Sequence, residues 1–200
     1  MSVSEEFDFR KKVQEAREKL YKRNAQVLFK EYLIEILNKL SYDVGDLCKK
    51  EITKLVSALK KEIKKFNEER KELEIIAEQK YYDENEQTEV ENPAHINEMS
   101  SNLYEKLLTF FDIEKEYFEK LAFCEEIKKY LIYLEKKAMK TNNLEFIETL
   151  RIVIANLKNQ QAEIEIEFEK LQELYFETDK ECLRDIADLV DALDNIEKGG

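Results

Sequence analysis

The residue types that most readily do chemistry are scarce in this chain: one histidine, His95, and three cysteines, Cys48, Cys124 and Cys182. Helical bundles that hold two iron ions combine glutamates with a Glu-x-x-His pair repeated on a second helix. Here Glu91 and His95 straddle Pro93, and His95–Ile96–Asn97–Glu98 offers one possible pair with no repeat. The cysteines lack the close spacing of a structural zinc site. A cysteine nucleophile wants a neighbouring base, and His95 is the sole imidazole. Any Ser–His–Asp arrangement meets the same limit. No glycine-rich phosphate loop exists, because Gly45, Gly199 and Gly200 are isolated or terminal. Asp and Glu abound, and nothing singles out an acid–base pair. The expectation is a protein that is not an enzyme, with no catalytic residue, no cofactor, no metal and no small-molecule substrate. The cysteines read as reduced, buried thiols, and a cytoplasmic location fits them.

The elements that would position any site are long helices. Ile52, Val56, Leu59, Ile63, Phe66, Arg70, Leu73 and Ala77 alternate by four and three residues. Ile147, Leu150, Ile154, Leu157, Gln161, Ile164, Phe168, Leu171, Tyr175, Thr178 and Cys182 do the same near the other end. Such heptads mark helices whose apolar seams meet other helices. Arg70 on a seam should find a carboxylate or mark a wetter layer. One proline and three glycines among 200 residues leave too little turn chemistry for a β-rich or α/β domain.

Four helices follow from the cap and break signals. The first runs from about residue 4 to 40, and its apolar stripe broadens after Ala25. The stretch 41–46 is a break around Gly45, with Asp46 as the cap of a second helix to about residue 82. Residues 83–91 form the expected loop. Asn92 as cap and Pro93 in the first turn start a third helix that ends near Lys140. Asn142 with Glu145 three residues on is a capping-box arrangement for a fourth helix reaching about residue 197. Its apolar positions shift after Cys182 to Ile186, Leu189, Leu193 and Ile196, a stutter in the heptad. The short break at 141–143 implies antiparallel neighbours. The fold expected is all-α: a single elongated antiparallel bundle of about four long helices with coiled-coil packing, built of hairpins at about 4–82 and 92–197.

Apolar residues off the seams suggest a bundle rather than a two-stranded coil. Leu55, Ile75 and Ile76 lie off the second seam; Ile152, Val153, Ile166, Leu174 and Phe176 lie off the fourth. Either they widen an internal core, or Ile152, Ile166, Leu174 and Phe176 form an interface to a second copy or another protein.

Net charge is −12, unevenly spread. Between residues 46 and 71 nine basic residues face five acidic ones, and between 142 and 197 five basic residues face fifteen acidic ones. Lys54, Lys61, Lys64, Lys65 and Lys71 make a possible basic docking stripe on the outer side of the second helix. Complementary charge could equally set helix register within the bundle. The leading functional reading is a helical scaffold or protein–protein interaction module that docks a protein partner or self-associates. One alternative is an elongated helical protein that binds a membrane surface through the second helix, against which bulk acidity argues. Another is an acidic decoy of a nucleic-acid-binding surface. Nucleic acid itself is not an expected partner, since phosphate rewards positive surface.

Overall fold

Ser41 ends the first helix by turning its hydroxyl back onto the Asn38 carbonyl, 2.7 Å away. The computed structural model of the chain describes the backbone of residues 3–78 and 94–199 and the side chains of residues 9, 11–78 and 94–196. The elements are α1 (Val3–Leu40), α2 (Asp46–Ala77), α3 (Ala94–Lys140) and α4 (Leu144–Gly199). The protein is therefore an all-α four-helix bundle. The breaks at 41–45 and 141–143 stand where turn chemistry placed them. The loop at 83–91 and the Asn92–Pro93 start signal lie outside the described residues.

Three boundaries shift from expectation. The residue capping α2 is Gly45 rather than Asp46, and the Gly45 N–H donates to Glu145 Oε1 of α4 at 2.9 Å. A carboxylate from a neighbouring helix thus replaces the local side-chain cap. It can come close because Gly45 has no Cβ; an added one would meet Glu145 Oε2 at 3.1 Å. At α4 the cap is Asn143 rather than Asn142: its Oδ1 accepts the Phe146 N–H at 3.1 Å. With Asn143 as cap, Glu145 sits one position short of the capping-box place and is free to serve α2. Finally, α2 closes at Ala77 with Glu78 as C-cap, short of residue 82.

The chain divides into two compact units, Met1–Gln79 with Phe118–Phe168, and Lys80–Tyr117 with Glu169–Gly200. In the first, all four helices meet in one core. Phe29, Leu33 and Leu37 of α1 pack with Ile52, Leu55 and Leu59 of α2, Ile127 and Leu134 of α3, and Leu150, Val153 and Leu157 of α4. Burying each such side chain is worth about 1.5–3 kcal/mol. Leu55 and Val153, off the strict seams, are core residues, so the buried stripe is wider than a coiled-coil seam. Leu28, in the broadened apolar stretch of α1, is exposed.

The second unit contains two described helical segments, from α3 and α4. Ile96, Leu103, Leu171 and Cys182 are buried there. Tyr117 stacks on Tyr175 with centroids 4.5 Å apart and planes 4° from parallel, and Phe110 lies 5.5 Å from the same ring. Lys106 of α3 pairs with Asp185 of α4. The partners descend along α4 as they rise along α3, so the two segments run antiparallel.

Candidate functional site

Two features stand out from a background of satisfied helix packing: a buried charge cluster in the four-helix unit and an acidic groove in the two-helix unit.

The cluster is centred on Lys30, which is 0% exposed in the broad apolar stretch of α1. Its ammonium lies 2.6 Å from Glu126 Oε2 of α3, a residue only 3% exposed, and 3.5 Å from Glu62 Oε2 of α2. It also sits 4.7 Å from the Phe66 ring and 5.2 Å from the Tyr130 ring, whose negative faces attract a cation. The other Glu126 oxygen accepts from Gln26 at 3.2 Å and Lys129 at 3.3 Å. The Tyr130 hydroxyl donates to Glu62 at 3.0 Å. Burial, and then the Glu62 charge beside it, push the Tyr130 phenol well above its ordinary range. Arg23 extends the cluster, 2.6 Å from Glu69 and with its guanidinium 4.5 Å from the Phe66 ring. Every charge is answered, so the cluster ties α1, α2 and α3 together. The cavity that Tyr130 and Glu62 help to line holds about 160 Å³, small for a ligand site.

The groove lies between the α3 and α4 segments of the two-helix unit and encloses about 690 Å³. Its apolar lining is Met99, Leu103, Ile113, Leu174 and Cys182. Glu105, Glu181, Asp185 and Asp188 supply acidic groups, against one cation, Lys106. The hydrogen bond to Asp185 raises the Lys106 ammonium pKa and lowers that of the carboxyl. Among the described residues, Glu105, Glu181 and Asp188 make no ion pair.

Charge segregates between the units. The four-helix unit carries 26 basic against 25 acidic residues, net +1, and the two-helix unit 7 against 20, net −13. The whole acidity of the chain therefore belongs to the unit with the groove.

The residues singled out from sequence fall as follows. Ile152 and Ile166, on the four-helix unit, are 43% and 60% exposed. On the two-helix unit Leu174 is half-exposed at the groove, and Phe176 is exposed, with its ring in T-shaped arrangements with Tyr117 and Tyr175. Lys54, Lys61, Lys64, Lys65 and Lys71 are all exposed. Lys54 pairs with Glu51 and Lys65 with Glu69 on the same helix, whereas Lys61, Lys64 and Lys71 have no ion pair among the described residues. Arg70 is half-buried, 3.8 Å from Glu74 and 3.2 Å from Asn67, with its Nε unpartnered. His95 is exposed in the first turn of α3. The three cysteines are buried and free. Desolvation raises each thiol above its ordinary pKa, and Cys48 lies 3.6 Å from the Thr149 hydroxyl. Among the described residues no three His, Cys, Asp or Glu side chains converge as a metal site would require, and no helix is long and apolar enough to cross a membrane.

Sequence reasoning missed the Lys30 cluster. A partial signal existed: Lys30 and Glu31 interrupt the crowded apolar run from Val27 to Ile34, and Glu125 and Glu126 separate Cys124 from Ile127. Opposite charges inside two apolar stretches are candidates for a buried pair. Comparison of the chain with protein-family models, curated proteins and solved structures finds no match.

Proposed function

We propose that this chain is a non-enzymatic helical interaction module, a scaffold whose two-helix unit offers apolar surface to a protein partner or a second copy. One observation carries the reading. On α4, Leu183, Ile186, Val190 and Leu193 recur at steps of three, four and three, and all are exposed. That is a heptad seam without a facing helix among the described residues. Exposed apolar stripes of this kind mark interaction surfaces far more than they mark monomers. Ile152 and Ile166 offer a second, smaller surface on the four-helix unit, and Leu174 and Phe176 extend the apolar surface of the two-helix unit.

The test uses two double variants, Ile186→Glu with Val190→Glu and Ile152→Glu with Ile166→Glu. Light scattering across concentration reads self-association, and affinity capture from native lysate reads partners. Loss of assembly or capture in the first variant, at unchanged circular dichroism, supports the module. A monomer that captures nothing specific, in wild type and variants alike, refutes it.

A further inference from the structure

The groove of the two-helix unit has the chemistry of a helix-binding site. Its walls run from Met99 to Ile113 on α3 and from Leu174 to Asp188 on α4. At 1.5 Å per residue each wall is about 21 Å long, roughly four helical turns. Leu103 and Cys182 are buried at the floor, and Met99, Ile113 and Leu174 present side chains above it. Among the described residues, no third helix closes the apolar trough between these two antiparallel segments into a bundle.

Charge decides what kind of helix that is. Glu105, Glu181 and Asp188 line the groove without an ion pair among the described residues, and Lys106 is already held by Asp185. The unit they belong to is net −13. A second copy meeting this one groove to groove would set one such unit against another, and like charge suppresses that encounter. Anionic lipid and nucleic acid are repelled for the same reason. An amphipathic helix with one apolar face and lysine or arginine on its flanks matches both the trough and its rim.

We propose that this groove seats a basic amphipathic helix of a partner protein. The inference rests on the interaction-module reading and adds the class of partner to it.

A designed 18-residue peptide tests it, with leucine at i, i+3, i+4 and i+7 positions and lysine elsewhere. Its control carries glutamate in place of lysine. Both are titrated against the full chain by fluorescence anisotropy, at low and high salt. The expected result is saturable one-to-one binding of the lysine peptide, weakened at high salt, and none of the glutamate peptide. Glu181→Lys with Asp188→Lys should weaken binding about tenfold or more, since these carboxylates line the groove. Leu174→Glu should do the same through the trough. Glu173→Lys with Asp191→Lys makes the same change in net charge away from the groove and should cost less than about threefold.

Equal losses in the two lysine pairs would reduce the binding to bulk attraction and overturn the proposal. So would equal binding of both peptides, or indifference to Leu174→Glu. Self-association through the groove, lost in Leu174→Glu, would overturn it in favour of a second copy while leaving the module reading intact. Absence of peptide binding beside capture that Ile186→Glu with Val190→Glu abolishes would likewise sink the basic helix alone.

Discussion

At the scale of single residues, the Lys30 cluster makes the sharpest demands. A lysine that is fully buried has lost its water, and its attraction to Glu126 at 2.6 Å offsets that loss only while both partners remain. Removing one leaves the other buried without its shortest contact, with only the longer ones to Glu62 at 3.5 Å for Lys30 and to Gln26 and Lys129 at 3.2 and 3.3 Å for Glu126. Lys30→Met should therefore destabilise the fold by about 3–5 kcal/mol in urea unfolding, and Glu126→Leu by a similar amount. The double variant should recover much of the loss, because two apolar side chains replace two buried charges. Additive losses would show that the pair does not act as a unit. Tyr130 gives a pH signature. Its phenol is raised in the folded state above the ordinary value near 10 for an unfolded chain. The folded protein thus holds that proton more tightly. The contribution is fully present below about pH 10 and is lost as pH rises, since the unfolded chain then releases the proton first. Stability measured from pH 8 to 11.5 should fall more steeply in wild type than in Tyr130→Phe. Parallel curves would mean that this phenol titrates normally.

At the scale of helices, the ends are held by specific acceptors. Asn143 caps α4 itself, while Glu145 reaches across to the Gly45 amide that opens α2. Asn143→Ala and Glu145→Ala should each cost about 0.5–2 kcal/mol, the usual worth of a cap. Amide exchange should separate them. The first should loosen the start of α4, and the second should also loosen residues 46–49 of α2. Protection unchanged at α2 would show that its start needs no carboxylate. These caps show how far the sequence could be read. The turns at 41–45 and 141–143 were legible because local residues make them, through Gly45, Ser41 and the Asn142–Asn143 pair. The identity of the α2 cap was not, because its partner lies 100 residues away in sequence. The seams were legible as a period but not as a width. Leu55 and Val153 turned inward while Ile152 stayed out, since burial depends on how many helices surround a position. Leu174 could be placed off the seam, yet the groove beside it needed the separation of α3 from α4, which no single-strand pattern contains.

At the scale of the whole molecule, net charge and core do not coincide. The near-neutral unit has four helices around a continuous core, whereas the described part of the unit with net −13 has two helices and few buried side chains. Backbone hydrogen bonds with few buried contacts beside them open at lower free energy. Amides in residues 96–117 and 169–196 should therefore exchange well before those in residues 29–37, 52–59, 127–134 and 146–157. Salt should separate the two further. Carboxylates crowded on one unit repel, and that repulsion is screened within about 10 Å at 0.1 M ionic strength. Raising the salt from low millimolar to about 0.15 M should slow exchange in the acidic unit and leave the four-helix unit nearly unchanged. A bound basic helix should act in the same direction and further, because it screens charge and covers apolar surface at once. Its protection should persist at salt concentrations where screening alone has saturated. Mass-resolved hydrogen exchange with and without the lysine peptide reads both effects on the same segments. If salt alone reproduces all of the protection given by the peptide, the acidic unit answers to charge only, and its groove has no part in the response.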